Sequence, residues 1–186
     1  MAMPLQLHRF TVDEYQRMAE AGILTEDDKV ELLDGQIVAM TPIGPPHAGC
    51  VTRLTRLLVR ALGDMATVRV QSPVVLATHW APEPDVAVLA FRADGYGTRH
   101  PSPGDVLLLI EVADSSTHVD RRVKLPAYAA AGIPEVWLAD LPADRVEVHR
   151  DPTRKGYTSV RVAERGETVT PLALEGVSLR VDEILG

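Results

Sequence analysis

The chain has 186 residues, a formal net charge of -7 and a hydrophobic content of 46%. This length and composition predict one globular domain over residues 1–186 with a single core, and they exclude two full domains. The acidic balance argues against broad, non-specific attraction to nucleic acid, which rests on a basic surface, but it leaves room for a local basic track.

The apolar runs and the cysteine content exclude further classes. The longest apolar runs are too short to span a bilayer, and the N-terminus lacks the pattern of a signal peptide, so we expect a cytoplasmic protein without a membrane partner. The single cysteine, Cys50, excludes an internal disulfide and a thiolate metal cluster. Its place in an apolar helical pattern indicates a core thiol rather than a nucleophile.

The N-terminal part predicts a helix followed by a β-hairpin. Thr11 and Glu14 match a capping box, which starts a helix. Two apolar segments then flank Asp34–Gly35, a dipeptide that tolerates the positive φ angles of a two-residue turn. The resulting register puts Glu31 on a largely apolar face. Glu31 is therefore either an acid at the rim of the sheet with its head in water or part of a site.

The segment His47–Leu62 predicts an amphipathic helix with an apolar stripe. Arg53, Arg56 and Arg60 recur on it at three and four residues and form a basic ridge. The ridge is either a solvated face or a contact to phosphates. His47, at the start of the helix, is a candidate contact to a phosphate or a carboxylate.

Two strands are predicted next. Val68–Leu76 alternates as a strand, although Pro73 interrupts it, and it carries Gln71. The prolines of Pro82–Asp85 stiffen the approach to a buried strand at Val86–Ala90. Asp85 thus lies at the mouth of that strand.

The strongest signal is an acid inside an apolar run. Six of the seven residues of Val106–Val112 are aliphatic, which is typical of a strand covered on both faces, and the seventh is Glu111. A buried acid must be paired, protonated or bound to a metal ion. Residues 114–117 are polar and suit the turn into a helix, on which Asp120, Lys124 and Tyr128 are spaced four apart on one face.

The C-terminal third predicts further strands. They lie at Pro134–Ala139, at Arg145–His149, which alternates as a half-exposed antiparallel strand, and at Tyr157–Val162. Residues Val181–Leu185 predict a short helix or a turn.

Two acids on buried strands and a nearby lysine are the groups that metal-dependent phosphodiester hydrolysis requires. Hard carboxylate oxygens hold Mg²⁺ or Mn²⁺, the ion polarises the phosphate and lowers the pKa of a bound water, and an ammonium group stabilises the developing charge. Asp85, Glu111 and Lys124 occur in this order.

Several motifs together resemble the bacterial Uma-two family of restriction-endonuclease-like proteins, which is similar to the PD-(D/E)xK nuclease superfamily. The resemblance covers nearly the whole chain. The motifs are Glu31–Gly35, Pro84–Asp85, Ile110–Val112, Ser115–Thr117, Asp120–Tyr128 and Gly132–Trp137.

This resemblance implies a restriction-endonuclease-like α/β (α+β) fold, a central mixed sheet flanked by helices, and Mg²⁺-dependent cleavage of DNA. Asp85 looks like the motif aspartate, Glu111 like the second acid and Glu31 like an additional metal contact. The chain departs from the motif at Ala113, where the superfamily carries its lysine, so Lys124 would have to reach the site from the helix. Supporting roles are implied for Gln71, Asp120, Tyr128 and Ser115.

Three functions remain open from the sequence. The first is an endonuclease that hydrolyses DNA. The second is a module that keeps the nuclease fold but binds nucleic acid or protein without cleaving it. The third is a structural domain in which Glu111 and Lys124 form a buried ion pair. The symmetry of duplex DNA and the small size of the chain further suggest a homodimer.

Overall fold

The computed structural model describes residues 7–25, 27–114 and 117–186. Within these ranges, α-helices lie at Val12–Glu20 (α1), Pro45–Leu62 (α2), Thr117–Val119 (α3), Leu125–Ala130 (α4) and Val181–Leu185 (α5), and a π-helical turn at Asp120–Lys124 joins α3 to α4. The strands of the described residues lie at Val30–Leu33 (β1), Gln36–Ala39 (β2), Ala66–Val70 (β3), Val86–Ala90 (β4), Val106–Ala113 (β5), Glu135–Asp140 (β6), Arg145–Thr153 (β7), Gly156–Glu164 (β8), Thr168–Val169 (β9) and Leu179–Arg180 (β10). Short 3₁₀ turns at Gly63–Met65 and Pro103–Asp105 precede β3 and β5.

The N-terminal elements form as predicted. Glu14 donates its backbone N–H to the Thr11 hydroxyl and accepts the Thr11 backbone N–H on its carboxylate, so the capping box starts α1. The hairpin of β1 and β2 turns at Asp34–Gly35, where both residues have positive φ. Its register pairs Glu31 with Val38.

A six-stranded mixed sheet in the order β3-β4-β5-β6-β7-β8 forms the centre of the protein. All neighbours are antiparallel except β5 and β6, which are parallel and are joined by the helical segment from α3 to α4. The predicted mixed sheet flanked by helices is therefore confirmed. The apolar β5 is a central strand and is buried along nearly its whole length.

Apolar side chains pack on both faces of the sheet. On one face α2 and α5 cover a cluster that includes Cys50, which is fully buried, so the predicted core thiol is confirmed. On the other face α4 and the segments around Val74 and Tyr96 cover a second cluster. Because β5 alternates between the faces, Ile110 and Val112 belong to the first cluster while Glu111 points to the second face.

Three predictions require correction. The strand predicted to reach Leu76 ends at Val70, since Gln71 adopts a φ of 44° and the chain leaves the sheet there. The alternation of β7 predicted a half-exposed strand, but residues 146–149 are buried. Helix α4 and Arg121 of the π-helical turn cover the polar side of this strand as well. The helix predicted through residues 120–128 begins with the π-helical turn rather than with regular α-helix.

No helix in the described ranges is both long and apolar enough to cross a membrane.

Candidate active site

Asp85 and Glu111 meet because their strands are neighbours. Asp85 directly precedes β4, and β4 pairs with β5 so that Val86 lies opposite Ile110. The Val112 backbone N–H donates to Asp85 Oδ2 over 2.8 Å, and the Asp85 N–H lies 3.4 Å from Glu111 Oε2. The two predicted acids thus lie side by side, at the start of β4 and near the end of β5.

Lys124 reaches these acids from the π-helical turn. Its ammonium nitrogen lies 3.1 Å from Glu31 Oε2 and 3.5 Å from Glu111 Oε1, and it donates to the Glu83 carbonyl over 3.3 Å. A π turn adds one residue to the helical repeat, and such turns are frequent at functional sites. The structure therefore brings together the lysine and the acids that the sequence singled out.

The hairpin and α4 complete the arrangement. Glu31 Oε2 accepts the backbone N–H of Glu83 over 3.0 Å, so its head is buried and does not lie in water at a sheet rim. The Tyr128 hydroxyl donates to Glu111 Oε1 over 2.6 Å. We call Glu31, Asp85, Glu111, Lys124 and Tyr128 the acid cluster.

Burial dominates the electrostatics of Glu111, which is 2% exposed. Burial raises its pKa well above the ordinary value, Asp120 and Asp85 add to the rise, and Lys124 opposes it. Burial works against the charge of Lys124, which is 6% exposed, but the carboxylates of Glu111 and Glu31 outweigh this effect and raise its pKa. Lys124 therefore stays an ammonium beside the two glutamates, while burial disfavours the charged form of Glu111.

Two further residues hold Asp85. His47 Nε2 lies 3.0 Å from Asp85 Oδ2, and this hydrogen bond raises the pKa of His47 against the opposing effect of burial. Gln71 makes a long contact of 3.5 Å from its amide to Asp85 Oδ1. His47 was predicted as a contact to phosphate or carboxylate, and in this structure its partner is the carboxylate of Asp85.

The π-helical turn is tied to the sheet by residues that the sequence analysis missed. Arg121 lies 2.5 Å from Asp140 Oδ2 at the end of β6 and 2.5 Å from Glu147 Oε2 on β7. Both acids are buried, and Arg145 also contacts Glu147. The charged residue inside the apolar alternation of β7 was the available signal, since a buried acid requires a partner.

Glu83 was also missed. Its carbonyl binds Lys124, and its own carboxyl is largely buried, which together with the nearby Glu31 raises its pKa. Its position beside the two prolines of the segment before β4 was the only indication in the sequence.

The predicted arginine ridge on α2 is only partly present. The Arg53 guanidinium donates to the backbone carbonyls of Ile184 and Leu185, so Arg53 binds the C-terminal helix and is not part of an exposed basic face. Arg56 and Arg60 are exposed. They line an open, mostly apolar groove of about 600 Å³ between α2 and β3, and Gln71 lies at the same groove.

Ser115 and Asp120 were predicted as supporting residues. Ser115 lies outside the described residues. Asp120 is buried on the π-helical turn, and its charge acts on Glu111 and Lys124. Within the described ranges, no three His, Cys, Asp or Glu side chains are arranged as ligands of one metal ion.

Comparisons with known proteins identify the family. The Uma2 family, described as "Putative restriction endonuclease", matches residues 12–182. A search of the curated proteins found no match. A solved structure from Anabaena variabilis ATCC 29413, "a putative nuclease belonging to DUF820", is similar with a TM-score of 0.73 and 16% identity, over 95% of this chain and 97% of that chain. That structure shares the fold of this chain. The extent of the family match shows that this chain belongs to the Uma2 family of restriction-endonuclease-like proteins.

Proposed function

We propose that this protein is a metal-dependent endonuclease that hydrolyses phosphodiester bonds of DNA. The observation that carries the proposal is the acid cluster, in which Glu31 on β1 and Glu111 on β5 both contact Lys124 and Asp85 at the start of β4 lies beside Glu111. An arrangement built only for stability gains little from surplus buried acids, because each uncompensated charge costs free energy. Groups with strongly perturbed pKa values beside a groove are typical of catalytic sites.

The acids fit a hard divalent cation. Asp85 Oδ1 and Glu111 Oε2 accept only long contacts of 3.5 Å and 3.4 Å among the described residues, so each acid has an oxygen that could serve as a ligand. Carboxylate oxygens are the ligands that Mg²⁺ and Mn²⁺ prefer. In the proposal Asp85 and Glu111 hold the ion, and Glu31, whose Oε2 contacts Lys124 in this structure, would have to reorient to become the additional contact. A bound ion would polarise the phosphate and lower the pKa of a water molecule.

Other residues at the site would orient the two acids and the attacking water and stabilise charge on the phosphate. Lys124 carries a positive charge beside both glutamates and would orient the attacking water or stabilise charge on the phosphate. Tyr128 fixes one oxygen of Glu111 by its hydrogen bond and leaves the other oxygen toward Asp85. His47 and Gln71 orient Asp85 in the same way.

The groove beside α2 is the proposed path of the DNA. Its lining includes Gln71, which contacts Asp85, and the exposed guanidinium groups of Arg56 and Arg60 would meet phosphates along it. Replacing both arginines by glutamine should weaken DNA binding and flatten its dependence on salt concentration, whereas an unaltered salt slope would assign them to a solvated face. We further propose that two copies act on the two strands of a duplex, which sedimentation of the protein with and without DNA would test.

One observation favours the alternative of a fold that no longer cleaves. Lys124 contacts Glu31 and Glu111 directly in a nearly closed cluster, which is also the geometry of a structural ion pair. In that alternative the protein binds nucleic acid or protein through the groove, and neither metal ions nor Lys124 affect a reaction.

The experiment that separates the two functions is Mn²⁺ calorimetry combined with plasmid nicking. We expect binding of Mn²⁺ and nicking by the wild type, and loss of both in Asp85→Ala with the fold retained. Asp64→Ala, which removes an exposed acid after α2, is the matched control and should leave both unchanged. Unchanged Mn²⁺ binding in Asp85→Ala would contradict the proposed metal site, and the absence of nicking by the wild type with either metal ion would favour the non-cleaving alternative.

A further inference from the structure

A second pocket of about 920 Å³ lies away from the acid cluster. It is formed by the first turns of α1, the outer part of β3 and the loop of residues 96–102. Its polar lining includes Gln16 from α1, Arg69 from β3, and Arg99 and His100 from the loop. None of these residues takes part in the proposed hydrolysis.

Arg69 is the unusual member of this lining. Its Nη1 atom is buried and has no hydrogen-bond partner among the described residues, and none of their acids lies within ion-pair distance of it. Arg99, in contrast, is held by two hydrogen bonds of 2.7 Å and 2.8 Å to Asp105. Leaving a buried N–H of a charged group without a hydrogen bond costs free energy. A bound acceptor at Arg69 would therefore stabilise the protein.

The position of Arg69 directs its side chain to this pocket. Strand β3 is an edge strand, and Arg69 pairs with Ala87, whose side chain belongs to the apolar cluster under the loop. Cross-strand partners share a face, so Arg69 lies on the loop side of the sheet. Val68 and Val70 pack on the opposite face, against α2.

His100 lies close to Arg69. Its ring is half buried, and burial together with the positive charge of Arg69 lowers its pKa. The ring is therefore neutral near pH 7 and can donate one N–H. Arg69, His100 and Gln16 can together present N–H donors from three separate segments of the chain.

We propose that this pocket binds a phosphate group through Arg69, His100 and Gln16. A phosphate carries several oxygens around one centre, so it can accept from donors that approach from different directions, and guanidinium groups match its geometry. The carboxylate of Asp13, at the first turn of α1, lines the same pocket and limits the affinity. The phosphate is supplied either by free inorganic phosphate or a nucleotide, or by the backbone of a nucleic acid.

The test is calorimetric binding of inorganic phosphate in the presence of EDTA, which requires no metal ion and no cleavage. We expect the wild type to bind, and Arg69→Gln to lose about tenfold or more in affinity, because a charge-assisted hydrogen bond contributes that much. Asp13→Asn should bind more tightly than the wild type. Arg17→Gln changes an exposed arginine of the same helix outside the pocket and should bind as the wild type does.

The outcomes decide the proposal and the source of the phosphate. No phosphate binding by the wild type, or equal binding by the wild type and a folded Arg69→Gln, overturns the proposal. If Arg69→Gln does not fold, Gln16→Ala and Asp13→Asn decide: opposite shifts in affinity support the site, and unchanged affinities overturn it. Competition by a short DNA duplex would assign the site to a nucleic-acid backbone, and competition by a mononucleotide alone would assign it to a free phosphate. Because no cleavage is measured, failure of this site leaves the proposed nuclease activity untouched.

Discussion

Replacing Lys124 by methionine tests both the energetics and the chemistry of the acid cluster. Methionine retains most of the apolar stem and removes the ammonium group that lies 3.1 Å from Glu31 and 3.5 Å from Glu111. One of these carboxyls must then stay ionised without its cation or take up a proton. Truncating one partner of a buried ion pair costs about 3–5 kcal/mol.

A free-energy loss of about 3 kcal/mol corresponds to a decrease in Tm of about 6–12 °C for a domain of this size. Arg122→Met is the matched control, since Arg122 is exposed on the same π-helical turn, and its Tm should change little. The double variant with Glu31→Gln should recover part of the stability lost in Lys124→Met, because it removes one acid that lost its cation. An unchanged Tm in Lys124→Met would refute the ion-pair energetics.

The same variant tests the reaction. If the ammonium group acts on the water or on the phosphate, Lys124→Met should cut the nicking rate about a hundredfold or more while Mn²⁺ binding stays near normal. The rate is divided by the folded fraction measured by circular dichroism. A destabilised variant with undiminished activity per folded molecule would refute the catalytic role of Lys124.

Three further predictions follow from the same contacts. In metal-free protein the raised pKa of Glu111 contributes stability that is lost as the pH rises. Glutamine does not ionise, so the Tm of Glu111→Gln minus the Tm of the wild type should increase from pH 5 to pH 8. A difference that stays constant over this range would contradict the burial of an ionisable group. Arg121→Gln should cost about 2 kcal/mol and lower nicking per folded molecule, because it releases the turn that carries Lys124 from two buried acids; normal activity would limit Arg121 to a structural role. Burial raises the pKa of Cys50 to about 11, so a thiol reagent at pH 8 should modify the native protein far more slowly than the unfolded chain.

Local patterns were sufficient for most of the secondary structure. The capping box of α1, the turn at Asp34–Gly35 and the apolar run of β5 each depend on neighbouring residues, and each has the predicted form. The pattern was misleading at Gln71, where alternation continued beyond the end of β3. There the positive φ of a single residue turned the chain out of the sheet, and alternation of residue types carries no information about such a turn.

The sequence also singled out Asp85, Glu111 and Lys124, because an acid in an apolar run requires a partner. Which residues meet was decided by the tertiary structure. The pairing of β4 with β5 puts Asp85 beside Glu111, and the packing of the hairpin brings in Glu31 from 80 positions earlier in the chain than Glu111. These contacts depend on strand order and on the docking of distant segments, so no periodicity within a short window could predict them.

The arginines illustrate the same limit most clearly. Arg53 and Arg56 lie three residues apart on the same helix. Arg53 nevertheless binds carbonyls of the C-terminal helix, whereas Arg56 is exposed. Arg69 carried no signal in the sequence, and only the fold shows that it lines a pocket and that one of its nitrogens is buried without a partner among the described residues. The sequence alone determined which residues can carry charge and where most of the helices and strands form, since both depend on local chemistry. The tertiary structure decided which charges are paired, buried or available to a ligand, because pairing and desolvation depend on side chains that distant parts of the chain supply.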